Sequence, residues 1–207
     1  MTPMTPMTPM RQQTSAIVRL QSLPPVFRGA DLTIRFQWTS KAASQYLYLW
    51  KRRGLVQGLG GHSDVYANLL SNPTPDWEKA VLAAMPSALI IGVEALRRAG
   101  WTTQVPHRPT VAVNQKKPVY SIEPFEVELR DPKWFEATQS ALQSPSAPAL
   151  PTLRPAWALA DMLLTHGWGQ CGLWPDDIEW DEIGQQDEAD WLAACTSLGL
   201  AEVPMKP

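Results

Sequence analysis

The chain has 207 residues, a net charge of −2 and 44% apolar residues, enough for one ordinary domain or two small ones and too apolar for global disorder. Two cysteines, Cys171 and Cys195, cannot supply a disulfide framework or a four-cysteine zinc site, and no run of about 18 apolar residues offers a membrane span. The N-terminus lacks the basic-then-apolar layout of a secretory signal, so the expected location is the cytoplasm, with thiols reduced.

The first ten residues, MTPMTPMTPM, repeat a three-residue unit whose Thr-Pro steps disfavour helix. We read residues 1–13 as a disordered leader. Thr14 or Ser15 can cap a first helix reaching about Leu23, with Ile17, Leu20 and Leu23 on one face. Pro24-Pro25 stops it, and a second short helix around 25–32 is weakened by Gly29. Asp31–Trp38 alternates Leu32, Ile34, Phe36 and Trp38 with polar residues, which predicts a short strand. Thr39 or Ser40 then caps the clearest helix of the chain. Ala43, Leu47 and Trp50 recur on it at spacings of four and three, and Lys51-Arg52-Arg53-Gly54 closes it with basic groups and a left-handed stop. Leu55-Val56 and Val65-Tyr66 flank Gly58-Leu59-Gly60-Gly61, the pattern of a hairpin.

Asn72-Pro73-Thr74-Pro75 marks a linker. Asp76 caps a helix over Trp77–Met85, and Pro86-Ser87 opens another, carrying Ala88, Leu89, Ile91 and Leu96 and ending at Arg97-Arg98-Ala99-Gly100. Thr110–Val113, Val119–Ile122 and Phe125–Leu129 are strand candidates. Residues 144–155 form a second Pro/Ser-rich link, followed by a helix over about Ala156–His166. A Trp- and acid-rich stretch leads to a last helix over about Asp187–Leu198, closed by Gly199. The expected fold is therefore α+β: an N-terminal winged helix-turn-helix at 14–71, then a mixed α/β C-terminal domain at 76–207.

Charge follows the same division. Residues 1–70 hold eight Lys/Arg against Asp31 and Asp64, a net +6, whereas residues 136–207 hold Arg154 and Lys206 against eleven acids, a net −9. A basic binding module followed by an acidic one fits this gradient. Between Arg35 and His62 there are five bases (Arg35, Lys41, Lys51, Arg52, Arg53) and no acid; an acid there would repel phosphate. The capped helix can bury Ala43, Leu47 and Trp50 and leave Ser40, Lys41, Ser44, Gln45 and Tyr48 to enter a major groove. Gln45 suits adenine, Lys41 suits guanine or phosphate, and the serines are short donors. Arg52, Arg53 and the hairpin around His62 would track the backbone.

The run TSKAASQYLYLWKRRGLVQGLGGHSDVYANL resembles the winged-helix segment of AbiEi-type antitoxins of type IV toxin–antitoxin systems. Pro86-Ser87-Ala88-Leu89 through Gly100 and Gln104-Val105-Pro106 resemble the opening of their second domain. Leu153-Arg154-Pro155-Ala156-Trp157-Ala158-Leu159-Ala160-Asp161-Met162-Leu163 resembles a later helix. The resemblance covers roughly residues 15–165. It implies a first domain that binds double-stranded DNA, the operator of its own operon, and a second that counteracts a nucleotidyltransferase-like toxin. The hairpin departs from the family pattern: it is glycine-rich, with His62 where a basic residue is usual.

Nothing assembles into an enzyme site. His166 and Cys171 lie five apart near Asp161, but no further Cys or His completes a metal set. Asp176, Asp177, Glu179, Asp181 and Glu182 lack the glycine and spacing of a calcium loop. The glycine run at 58–61 has no following Lys-Ser/Thr and so is no phosphate loop. No cofactor or metal is expected. The acidic run, with Trp174, Asp176, Asp177, Glu179 and Trp180, is a candidate partner-binding surface, and a protein-interaction adaptor working through it is the alternative to the DNA-binding regulator.

Overall fold

The computed structural model describes residues 15–60, 63–114, 124–143, 149–200 and 204–206. The leader, His62, the strand candidate at 119–122 and part of the second Pro/Ser-rich link lie outside the described residues. The protein is α+β, with eight α-helices and two sheets among the described residues. It divides into two compact units, Met1–Gln57 with Tyr66–Pro75, and Gly58–Val65 with Asp76–Pro207.

The first unit runs α1 (Ala16–Gln21), β1 (Val26–Arg28), α2 (Gly29–Phe36), α3 (Ser40–Arg52), β2 (Val56–Gly58) and β3 (Val65–Asn68), with strand order β1-β3-β2. Ser15 caps α1 by accepting from the Val18 N–H at 3.3 Å. Leu20, Leu23, Phe27, Leu32, Ala43, Leu47, Trp50 and Val56 form one core, with Phe36, Trp38, Tyr46 and Tyr66 packed against it. The buried side chain of Asn68 donates to the carbonyls of Leu20 (2.9 Å) and Leu23 (3.2 Å). These two bonds tie β3 to the end of α1 and to the residue that follows its cap.

The alternating stretch Asp31–Trp38 is not a strand but most of α2. Leu32 is fully buried while Ile34 is 75% exposed, so the period-two apolar row never meets a common face. The start signal outweighed it: the Asp31 carboxylate accepts from the Arg28 N–H at 2.8 Å, and the Thr33 hydroxyl donates back to the Ala30 carbonyl at 2.7 Å. The helix stops at Gln37 in the left-handed region (φ 54°).

The second unit carries α4 (Trp77–Ala84), β4 (Leu89–Ile91), α5 (Gly92–Arg98), β5 (Thr110–Val113), β6 (Glu126–Leu129), α6 (Pro132–Thr138), β7 (Leu142–Gln143), β8 (Thr152–Leu153), α7 (Pro155–Thr165) and α8 (Gln185–Leu198). Its sheet has the order β6-β5-β4-β8-β7. β4 runs antiparallel to β5 (Ile90 opposite Val111) and parallel to β8 (Ile90 opposite Thr152), and β5 is parallel to β6. The helix expected from Pro86 is therefore split: Leu89–Ile91 is a fully buried central strand, and the helix starts only at Gly92. A short, wholly apolar run with two isoleucines suits a strand covered on both faces. Gly92 makes the strand-to-helix corner at φ +67°, which a side chain would strain. α7 is buried from Pro155 to Met162. It packs against α5 and α8 and is apolar nearly all round, as a central helix must be.

Candidate nucleic-acid interface

The candidate interface is built on α3. The Thr39 hydroxyl caps it, accepting from the Ala42 N–H at 3.2 Å. Ala43, Leu47 and Trp50 are buried, and Trp50 also meets Tyr46 and Trp38 at ring-centroid distances of 5.8 and 6.0 Å. Three inward contacts on successive turns fix the helix's rotation about its own axis. The opposite side is then forced outward. Ser40, Lys41, Ser44, Gln45, Tyr48, Arg52 and Arg53 are all exposed, and Lys41, Gln45, Tyr48 and Arg52 follow one another at spacings of four, three and four along one face. The Arg52 guanidinium lies 5.8 Å over the Tyr48 ring. This orders a long side chain that would otherwise sample many rotamers. The helix ends at Arg53, and Gly54 turns the chain at φ +66°.

Arg35 is exposed on α2, but one of its donors is already committed: Nη1 bonds the Ser22 carbonyl at 3.1 Å. His62 lies outside the described residues. Lys51, at the end of α3, is exposed with its ammonium 5.9 Å over Tyr66. Lys51 stands apart from the Lys41–Arg52 row on α3. Tyr66 itself stacks on Phe27 at 5.7 Å. No sequence signal announces these cross-element ring contacts, since they join residues far outside any local period.

The acidic set of the second unit is brought together on a loop stiffened by short 3-10 turns. Trp174 is 62% exposed. Its N–H donates to Asp177 Oδ2 at 2.8 Å, while Asp177 Oδ1 accepts from Gln104 Nε2 at 3.0 Å. Trp180 Nε1 donates to the Pro175 carbonyl at 2.9 Å. Asp176 and Glu179 are exposed. Asp177 and the indole N–H of Trp180 thus hold the loop's shape, leaving Trp174, Asp176 and Glu179 as its outward groups.

Asp161, which the sequence places near His166 and Cys171, is a structural hub. It is buried, accepting from Arg130 Nη2 at 2.9 Å and from Trp134 Nε1 at 2.7 Å. Burial alone would lower the Arg130 pKa, but the hydrogen bond and charge of Asp161, with the charge of Glu128, push it above its usual value. A cleft of about 230 Å³ beside this pair is also lined by Thr110, Glu126, His166 and Cys171. Among the described residues, no group of three or more His, Cys, Asp or Glu could hold a metal ion, and no helix is long and apolar enough to cross a membrane.

The fold and the site define an α+β protein with a basic helical face in its first unit. No family model and no curated protein sequence matches the chain. Among solved structures it is similar to the RV2827C protein from Mycobacterium tuberculosis, with a TM-score of 0.54, 15% identity, and coverage of 92% of this chain and 76% of that chain. At that identity the likeness concerns the fold.

Proposed function

We propose that the protein is a DNA-binding transcriptional regulator whose first unit is a winged helix-turn-helix and whose α3 is the recognition helix. One observation carries this reading. A capped helix is anchored by Ala43, Leu47 and Trp50, and its outward face bears Lys41, Gln45, Tyr48 and Arg52 without an acid. Phosphate contacts would supply affinity, and Gln45 would supply base choice. The element order and the strand order β1-β3-β2 support it, because they set α2 and α3 ahead of a hairpin that can flank a groove. In the AbiEi-like form of the proposal, the protein represses its own operon and its second unit neutralises a nucleotidyltransferase-like toxin.

The test is binding of the full chain to its own upstream DNA and to random duplex at several salt concentrations. Preference for the upstream DNA is expected, with log affinity falling linearly against log salt. Equal affinity for both duplexes would sink the regulator reading. A second reading, a protein-interaction adaptor, is favoured by the exposed Trp174 beside Asp176 and Glu179. It expects Trp174→Ala to abolish binding to a partner encoded beside this chain while leaving DNA binding unchanged.

A further inference from the structure

We propose that Arg19, on α1 and outside the α3 face, is a positioning residue for nucleic-acid binding, acting on the turn between α2 and α3 rather than by touching phosphate. The proposal rests on the reading of α3 as a recognition helix and deepens it.

The turn is three residues long and depends on Gln37, the one non-glycine residue at positive φ among the described residues (φ 54°). A left-handed conformation is unfavourable for a residue with a Cβ and persists only where its surroundings hold it. Those surroundings are aromatic. Phe36 and Trp38 flank Gln37, and their rings meet at 5.2 Å. The Arg19 guanidinium lies 5.7 Å from the Phe36 centroid and 5.2 Å from that of Trp38, so one cation bridges both sides of the strained residue. On α3, Trp38 stacks on Tyr46 at 4.3 Å with the rings 21° apart, and it reaches Trp50 at 6.0 Å. A second tie runs beside the first, from Arg35 Nη1 on α2 to the Ser22 carbonyl that ends α1.

The geometry follows directly. α1 holds Trp38, Trp38 holds the inner side of α3, and the rotation of α3 sets where Lys41, Gln45 and Tyr48 point. An arginine whose planar group is spent on two ring faces has less freedom to follow a phosphate than one at the end of an exposed helix.

Salt dependence separates the two roles, because a phosphate contact releases counterions and a positioning contact does not. Affinity for the upstream duplex is measured across salt for the unaltered chain, Arg19→Met, Arg19→Lys and Arg52→Ala. Near-UV circular dichroism follows the Trp38–Tyr46 stack, and stoichiometric titration gives the active fraction. Arg19→Met is expected to weaken binding about tenfold at every salt concentration, the scale of one lost oriented contact, with the slope unchanged. Arg19→Lys should restore part of the loss. Arg52→Ala should flatten the slope by about 0.9 and leave the tryptophan bands of the near-UV spectrum as they were, since its guanidinium lies over Tyr48 alone, whereas Arg19→Met should alter those bands. A slope for Arg19→Met that drops as in Arg52→Ala would make Arg19 a phosphate contact and overturn the proposal. Unaltered affinity would also overturn it. If the unaltered chain does not bind DNA, the regulator reading fails and the binding role of Arg19 fails with it. An altered near-UV spectrum in Arg19→Met would then show that the failure lies in the DNA reading and not in the turn.

Discussion

The two units each carry a set of cations that contrasts with the other's. In the second unit, Arg97 and Arg98 both bond Glu94, Arg98 also bonds Glu78, Arg130 bonds Asp161 and Glu128, and Arg154 bonds Asp190. In the first, Lys41, Arg52 and Arg53 meet no carboxylate among the described residues. A buried or half-buried arginine that has lost water must regain its bonds within the fold, or its burial is costly. An exposed cation keeps its water and adds little to stability whether paired or not. The paired arginines that are half-buried, Arg98, Arg130 and Arg154, therefore belong to folding, and on the regulator reading the unpaired set is left for a partner. Substitutions that separate stability from binding test that division directly.

The sharpest break comes at Asp161. Replacing it with alanine leaves Arg130 with Glu128 alone and strips Trp134 Nε1 of its acceptor. We expect a loss of about 3 kcal/mol, because removing one partner strands buried polar groups. Urea unfolding of the full chain, followed by tryptophan fluorescence, measures it. A loss under about 1 kcal/mol would mean the hub is not what holds β6, α6 and α7 together.

Glu94 comes next, and it adds a pH signature. Burial alone would raise its carboxyl pKa, but hydrogen bonds from Arg97 and Arg98, with their charges, outweigh that and hold it below the usual value of 4.5. A folded pKa depressed below the unfolded one gives stability that is fully present above the unfolded value and lost as pH falls through the folded one. Glu94→Gln should thus cost about 2 kcal/mol at neutral pH, the scale of a charge-assisted bond. The gap from the unaltered chain should close as pH falls through the depressed pKa of Glu94 and its charge is lost. A gap that persists unchanged into acid would show that the carboxylate's charge is not what the two arginines bind.

Much of this was legible in the sequence where local and tertiary signals agree. α3 shows its cap, its buried triad and its Gly54 stop in residues 39–54, and the structure places them so. α7 and α8 were visible for similar reasons. Three elements differ from the local reading: Val26–Arg28 is a strand where a short helix around 25–32 is expected, and in the other two a local pattern and the global packing disagree. Asp31–Trp38 alternates like a strand, but its cap at Arg28–Asp31 makes a helix. Leu89–Ile91 reads as the first turn of a helix, but Pro151 and Val111 flank it in a sheet through residues far along the chain. The two-residue strands β7 and β8 are too short for any periodicity to show. Within the site, the α3 face follows from spacing, whereas the bridge from Arg19 to Phe36 and Trp38 rests on contacts 17 and 19 residues apart.

The cap at Thr39 yields a smaller effect. Its hydroxyl satisfies one of the open N–H groups of α3 at 3.2 Å, so Thr39→Ala should cost about 1 kcal/mol. DNA affinity should fall only as far as the folded fraction falls, because the cap fixes where the helix begins and not which groups it shows. A larger fall in affinity than in stability would mean that Thr39 itself reaches the ligand.

The smallest change in stability is expected where the change in binding is greatest. Lys41→Ala and Arg52→Ala remove exposed cations with no acid opposite, so each should alter unfolding by no more than about 0.5 kcal/mol. On the regulator reading, each should also flatten the salt dependence of DNA binding by about one phosphate contact and weaken all sequences alike. Gln45→Ala should leave the slope intact and reduce the preference for the upstream duplex by about 1–3 kcal/mol, as the loss of a base-reading pair would. The three variants form an internal control, since they share one helix face and all three positions are exposed. If Lys41→Ala destabilised the fold as Asp161→Ala does, the unpaired cations would be structural after all, and the contrast between the units would dissolve.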